Sequence, residues 1–134
     1  MASANLDLVR SICAAWERGD FHSSAKWAHP EIAFEIVGGP APGRWTGADA
    51  AEGYRDFLSA WEDLRVEADE YRDLDDERVL VFTHFSGRGK KSGLELGQIS
   101  TNGAYLFDVR GGKVTRLVRY WDRDRALADL GLKA

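Results

Sequence analysis

The amino-acid sequence predicts an α+β fold, with helices packed on one face of a curved antiparallel sheet. Two observations carry this. Apolar residues recur at helical spacing through most of residues 1–61, and from residue 64 onward segments of strand-like alternation dominate. Within the helical half, IAFEIV (32–37) is the one early strand.

Taken in order, Ser3 can cap a first helix whose apolar stripe is Leu6, Val9, Ile12, Cys13 and Trp16, and Gly19 ends it. Asp20 can cap a short second helix to about Ala28, with Phe21, Ala25 and Ala28 inward and His29-Pro30 as the stop. After the early strand, GGPAPGRWTG (38–47) reads as a loop by its Gly and Pro content. Thr46 can cap a third helix with Ala50, Tyr54, Phe57, Leu58 and Trp61 at helical spacing. The later strands are predicted over 64–74, 79–87, 94–110 and 113–122. Gly97 and Gly103 mark bulges or bends, and Gly111-Gly112 turns a tight hairpin. A last helix spans about 123–130 and ends at Gly131. No repeat or linker divides the chain, so residues 1–134 are expected to form a single domain.

The strands have two apolar faces. Val79, Val81 and Phe85 oppose Leu80 and Phe82, and Tyr105, Phe107 and Val109 oppose Ala104 and Leu106. A sheet with one wet face alternates more cleanly. One face meets the helices, and a second copy of the sheet is the cheapest cover for the other, so a homodimer is expected. The alternative is a monomer with a few exposed apolar side chains.

Composition narrows the function classes. With 44% apolar and 30% charged residues the chain is not disordered. A net charge of −4 argues against nucleic acid or an anionic membrane as partner. Cys13 is the single cysteine, which rules out an internal disulfide and fits a cytoplasmic setting. MASANLDLVRS lacks the basic and apolar regions of a secretory signal, and no apolar run approaches the ~18 residues of a membrane helix. His22, His29 and His84 show no metal-ligand spacing, so neither a metal nor a cofactor is expected. SGRGKKSG (86–93) fits neither a phosphate loop nor a dinucleotide fingerprint and reads as a solvated hairpin turn. No GxSxG occurs and Cys13 lies on an apolar stripe, so no nucleophile is evident.

GDF (19–21), HPEIAFEI (29–36), GRWTGADAAEGYRDF (43–57) and GGKVTRLVRYWDRDRALADLGL (111–132), in this order, resemble the nuclear transport factor two-like superfamily. The likeness is greatest to its SnoaL-like branch, related to polyketide cyclases and ketosteroid isomerases. The resemblance implies a cone-shaped α+β barrel of cystatin-like type. A strongly curved antiparallel sheet would wrap around three N-terminal helices, leave a deep pocket at its open end and dimerise through its convex face. It does not fix the chemistry. The steroid-isomerase base and tyrosine positions fall on Ile36 and Ile12, which do no acid–base work. The cyclase histidine and aspartate positions fall on Tyr105 and Arg119. The Asp-Arg-Asp set of the epoxide hydrolases finds Arg119 but no aspartates in phase with it.

In this alignment Leu117, Arg119 and Trp121 face the pocket, joined by Tyr105 and Phe107 and by Thr83 and Phe85 from neighbouring strands. An inward arginine needs a partner, because desolvating a charge costs several kcal/mol. Glu35, Glu95 or an acidic ligand could serve. The resemblance thus implies Tyr105 and Arg119 as catalytic residues in a pocket lined by Trp16, Glu35, Trp45, Tyr54, Trp61, Thr83, Phe85, Phe107, Leu117 and Trp121. Trp45, in its Gly/Pro loop, either lids the mouth or packs locally. Alternatively Arg119 lies on the convex face and pairs across a dimer, or snorkels along Trp121. The implied function is a hydrophobic pocket for a small, acidic or enolisable, polyketide- or steroid-like molecule. Cofactor-free cyclase, isomerase or dehydratase chemistry is one reading, and a non-catalytic binding or dimerisation module is the other.

Overall fold

The computed structural model describes residues 4–20, 27–38, 42–59, 61–89 and 98–132. The elements are α1 (Ala4–Glu17), β1 (Ala28–Val37), β2 (Gly43–Thr46), α2 (Ala48–Ser59), β3 (Trp61–Asp73), β4 (Arg78–Gly89), β5 (Gln98–Arg110), β6 (Lys113–Tyr120) and α3 (Arg123–Leu130). The six strands form one curved sheet in the order β2-β1-β6-β5-β4-β3. β3 to β6 are the expected antiparallel meander. β1 joins its β6 edge in parallel, so the sheet is mixed rather than wholly antiparallel. A parallel pair needs a long crossover, and everything between β1 and β6 provides it.

The two faces of the sheet bury different sets of residues. The inner face takes Val9, Ile12, Cys13 and Trp16 of α1, with Ala50 and Tyr54 of α2. The outer face buries Leu80, Phe82, Leu106, Val118 and Tyr120 against Ala126 and Leu127 of α3. Each fully buried Leu or Val contributes roughly 1.5–3 kcal/mol. The sequence predicts a second copy as the cover of this face; within the chain, Ala126 and Leu127 of α3 pack on part of it. Asp122 caps α3 by accepting a hydrogen bond from the Asp124 amide.

Several boundaries differ from expectation. Most of the second helix predicted after Asp20 lies outside the described residues, and its intended end, Ala28 to Pro30, begins β1. Pro30 is tolerated there because β2 reaches only Ala33–Ile36, so no ladder partner on that side needs the missing N–H. His29 is a strand residue whose Nδ1 accepts from the Glu31 amide at 3.0 Å. Gly43–Thr46, read as loop, is the short strand β2. Trp61 starts β3 instead of closing α2, and its side chain is outside the described set. Residues 90–97, which hold the second half of the basic turn (90–93) and Gly97, are outside it too, whereas 86–89 belong to β4.

Strict alternation fails once along β6. The register passes from Val109↔Val114 to Asp108↔Arg116, so Thr115 is an extra, bulged residue. Val114 therefore joins Leu117 in the inner core instead of sharing the face of Val118. The positive φ of Gly111 (58°) and Gly112 (77°) is what the two-residue hairpin before β6 requires.

Candidate functional site

Arg119 projects from β6, near the middle of the sheet, toward the inner face. Its residue is 0% exposed. Among the described residues the guanidinium makes one hydrogen bond, Nη1 donating to Thr83 Oγ1 at 3.2 Å. Its Nε and Nη2 have no acceptor among the described residues, and no carboxylate there pairs with it. The rings of Phe85, Tyr105 and Trp121 lie 4.6, 5.0 and 5.0 Å from Cζ. Such cation–π contacts offset part of the desolvation, by ~2 kcal/mol for a buried cation. They do not satisfy N–H donors.

The reach of this side chain depends on a glycine. Thr83 is on β4 and Arg119 on β6, so the guanidinium crosses β5 between them. It crosses at Gly103, which is in register with Thr83. A Cβ at Gly103 would run into the Tyr120 carbonyl oxygen and sit 3.0 Å from Arg119 Nη1. The missing side chain is the saddle for the arginine. Arg123 of α3 grips the same rung, donating to the Gly103 oxygen at 3.2 Å and the Thr83 oxygen at 3.1 Å. Its guanidinium also pairs with Asp69, the extra residue where the β3 register shifts.

Burial dominates the electrostatics. It pushes the Arg119 guanidinium below its ordinary range, with Tyr105 opposing. It raises the Tyr105 phenol, against the pull of Arg119, so that group stays protonated. Cys13 is pushed up to about 12, mainly by burial, and is no nucleophile.

Between β1, β6 and α2 is a cavity of about 40 Å³, lined by Trp27, Ala28, Ile32, Phe34, Ala50, Tyr54 and Leu117. Tyr54 Oη is buried and makes no hydrogen bond among the described residues. The Trp16 indole approaches it outside hydrogen-bonding geometry. Burial raises the Tyr54 phenol strongly, so it is a donor at any working pH.

The residues singled out from the sequence divide accordingly. Arg119, Tyr105, Thr83, Phe85 and Trp121 come together around the guanidinium. Trp16 stacks obliquely on Tyr105 (4.8 Å) and Phe107 (5.8 Å) in the wall behind them. Tyr54 and Leu117 line the cavity. Glu35 is a correction. It alternates with the inward Phe34 and Ile36, faces outward, and binds Arg116 and Arg44, each at 3.3 Å. Glu95, the other carboxylate considered, is outside the described residues. Trp45 is packed, not poised as a lid. It pairs with Phe34 across β2–β1 with ring centroids 5.7 Å apart. Gly43 and Gly53 leave the space for its indole, since a Cβ at either would crowd it at 2.8 or 2.6 Å. Gly103 and Arg123 were missed as parts of the site. The glycine in an apolar strand was the visible signal, but its partner across the sheet was not.

Comparison with known proteins agrees with the fold. A cystatin-like protein of unknown function from Xanthomonas campestris superposes with a TM-score of 0.74 at 17% identity, covering 90% of this chain and 100% of that one. An NTF2-like protein of unknown function from Burkholderia pseudomallei gives 0.73 at 16% identity, covering 95% and 97%. A protein from Mesorhizobium loti assigned to the SnoaL-like polyketide cyclases gives 0.69 at 15%, covering 89% and 100%. At these identities the likeness establishes the fold alone. No curated protein matches the chain. The SnoaL-like domain model matches residues 9–117. The chain belongs to the SnoaL-like domain family.

Proposed function

We propose that this protein binds a small organic carboxylate, or a molecule with an equivalent enolisable acid group, with Arg119 as the anchor. One observation carries the reading. Thr83 occupies Nη1, and the two nitrogens left without acceptors among the described residues are Nε and Nη2. Those two N–H bonds run side by side on one edge of the guanidinium, the fork that grips a carboxylate with two parallel hydrogen bonds. A buried arginine without a counterion is costly, and a ligand that brings the counterion removes the cost. Family membership points to polyketide-like or steroid-like chemotypes as the first acids to try.

Cyclase, isomerase or dehydratase chemistry without a cofactor is the second reading. Tyr105 favours it, as a protonated phenol whose ring centroid lies 5.0 Å from the guanidinium carbon and whose hydroxyl could donate to a developing oxyanion. Such chemistry also needs a base. Glu35 is on the other face, so binding is the leading reading. The homodimer and the cytoplasmic setting stay proposals from the sequence. Sedimentation at graded concentration tests the dimer, whose interface would have to use surface beyond that already covered by α3.

The test is a thermal-shift screen of wild type and Arg119→Met with small aromatic acids, enolisable polyketide mimics and their neutral amides. At ~100 times its dissociation constant a ligand adds about 2.7 kcal/mol. Acids should stabilise the wild type alone, and amides neither protein. Equal shifts in both proteins would sink the reading.

A further inference from the structure

Two guanidinium groups hold one rung of the sheet from opposite faces. On the inner face Arg119 donates to the Thr83 hydroxyl across the gap that Gly103 leaves. From the outer face Arg123 donates to the main-chain oxygens of the same two residues, Nε to Gly103 at 3.2 Å and Nη2 to Thr83 at 3.1 Å. We infer that Arg123 is a positioning residue for the Arg119 site. From the far side of the sheet it fixes the Thr83–Gly103 rung, so that the Thr83 hydroxyl takes Nη1 and the Nε–Nη2 edge stays aimed for an acid. This rests on the Arg119 reading and adds what orients its anchor.

The rung needs such support. Gly103 lies one residue beyond Ala104↔Tyr120, the last pair between β5 and β6. On the other flank Thr83 pairs with Ala68, just before the extra residue Asp69 shifts the β3 register. Regular pairing therefore gives out on both sides. One member of the rung is glycine, the residue with the widest backbone freedom. The Tyr120 oxygen and the Arg119 guanidinium leave no room for a Cβ there, so a stiffer residue is excluded. The stiffness has to come from outside the rung.

Arg123 is placed to supply it. It is the first residue of α3, directly after the Asp122 cap. Ala126 and Leu127 seat that helix on the apolar outer face. The ring of Phe82 lies under the guanidinium, 5.3 Å from Cζ. Asp69 pairs with its charge and, as the bulged residue of β3, brings a third strand to the same point. A planar fork that meets two carbonyls and a carboxylate at once fixes direction as well as distance, which a lysine ammonium does not.

Two readouts separate positioning from plain support of α3. One is the affinity for benzoate by calorimetry. The other is the Arg119 Nε–Hε NMR signal, assigned by its loss in Arg119→Met. Arg123→Met should weaken benzoate by about tenfold, the scale of one lost charge-assisted hydrogen bond, and should move the Arg119 signal. Asp69→Asn is milder, since it keeps the two carbonyl bonds, and should do both to a smaller extent. Should Arg123→Met fail to fold, Asp69→Asn decides by the same readouts. Leu127→Ala loosens α3 a turn away from the rung, and should lower the urea midpoint but do neither. If the Arg123 variant leaves the affinity or the signal as in wild type, or Leu127→Ala changes them as much, Arg123 only holds α3. The inference is then wrong and the Arg119 anchor stands. If benzoate binds wild type and Arg119→Met equally, or binds neither, the anchor itself falls and the positioning role with it.

Discussion

Arg116 and Arg119 are three residues apart on one strand and live opposite lives. Arg116 faces outward with its side chain 40% exposed, 3.3 Å from Glu35 and 3.7 Å from Asp108. Arg119 faces inward, fully buried, with three aromatic rings and one hydroxyl around it. The first arginine brings its counterions with it and serves the fold. The second has none among the described residues, so its desolvation is offset only in part, by the rings and the Thr83 hydroxyl. The difference separates a cation paired by carboxylates of its own chain from one that, among the described residues, has none.

The sharpest way to break the comparison is Gly103→Ala. Its Cβ collides with the Tyr120 carbonyl and crowds the guanidinium. Overpacking of this kind costs about 3 kcal/mol, read from the urea midpoint. An unchanged midpoint would mean that Arg119 does not cross the sheet at that saddle.

Next come the two arginines themselves. Without ligand, Arg119→Met should stabilise the protein by ~1–3 kcal/mol, because it replaces an uncompensated buried charge with a side chain of similar shape. Arg116→Met should destabilise it by ~1 kcal/mol or less, a small value because the pair is open to solvent. Chemical denaturation of both variants decides. Destabilisation by both would show that Arg119 too is structural.

The smallest effect is a pH dependence on the outer face. Burial raises the Asp108 carboxyl, although Arg116 and Arg78 oppose it and Asp75 adds to it. The folded state then holds this proton to higher pH than the unfolded chain does. The site's contribution to stability therefore falls as pH rises from the ordinary carboxylate range through the raised one. Asp108→Asn should flatten that part of the melting-temperature profile, and an unaltered profile would exclude the site as its source.

Much of the fold was legible because periodicity is a local property. The apolar stripe of α1, the two-sided strands and the glycine hairpin all follow from residues near one another in sequence. The inward direction of Arg119 was legible too, through the alternation that ties it to Leu117. Glu35 was misplaced. The sequence suggests it as a partner for Arg119, but alternation about Phe34 and Ile36 in a sheet with β6 as neighbour turns it to the other face.

What the sequence determined by itself, then, was which residues could be buried and with what period. Tertiary structure alone decided which of them meet. The parallel docking of β1 on β6, the Thr115 bulge that turns Val114 inward, the passage of Arg119 over Gly103 to Thr83, and the packing of α3 on part of the outer face each join residues tens of positions apart or shift a register by one. Contacts of that kind are fixed by how the sheet closes on its helices, and no local pattern encodes them.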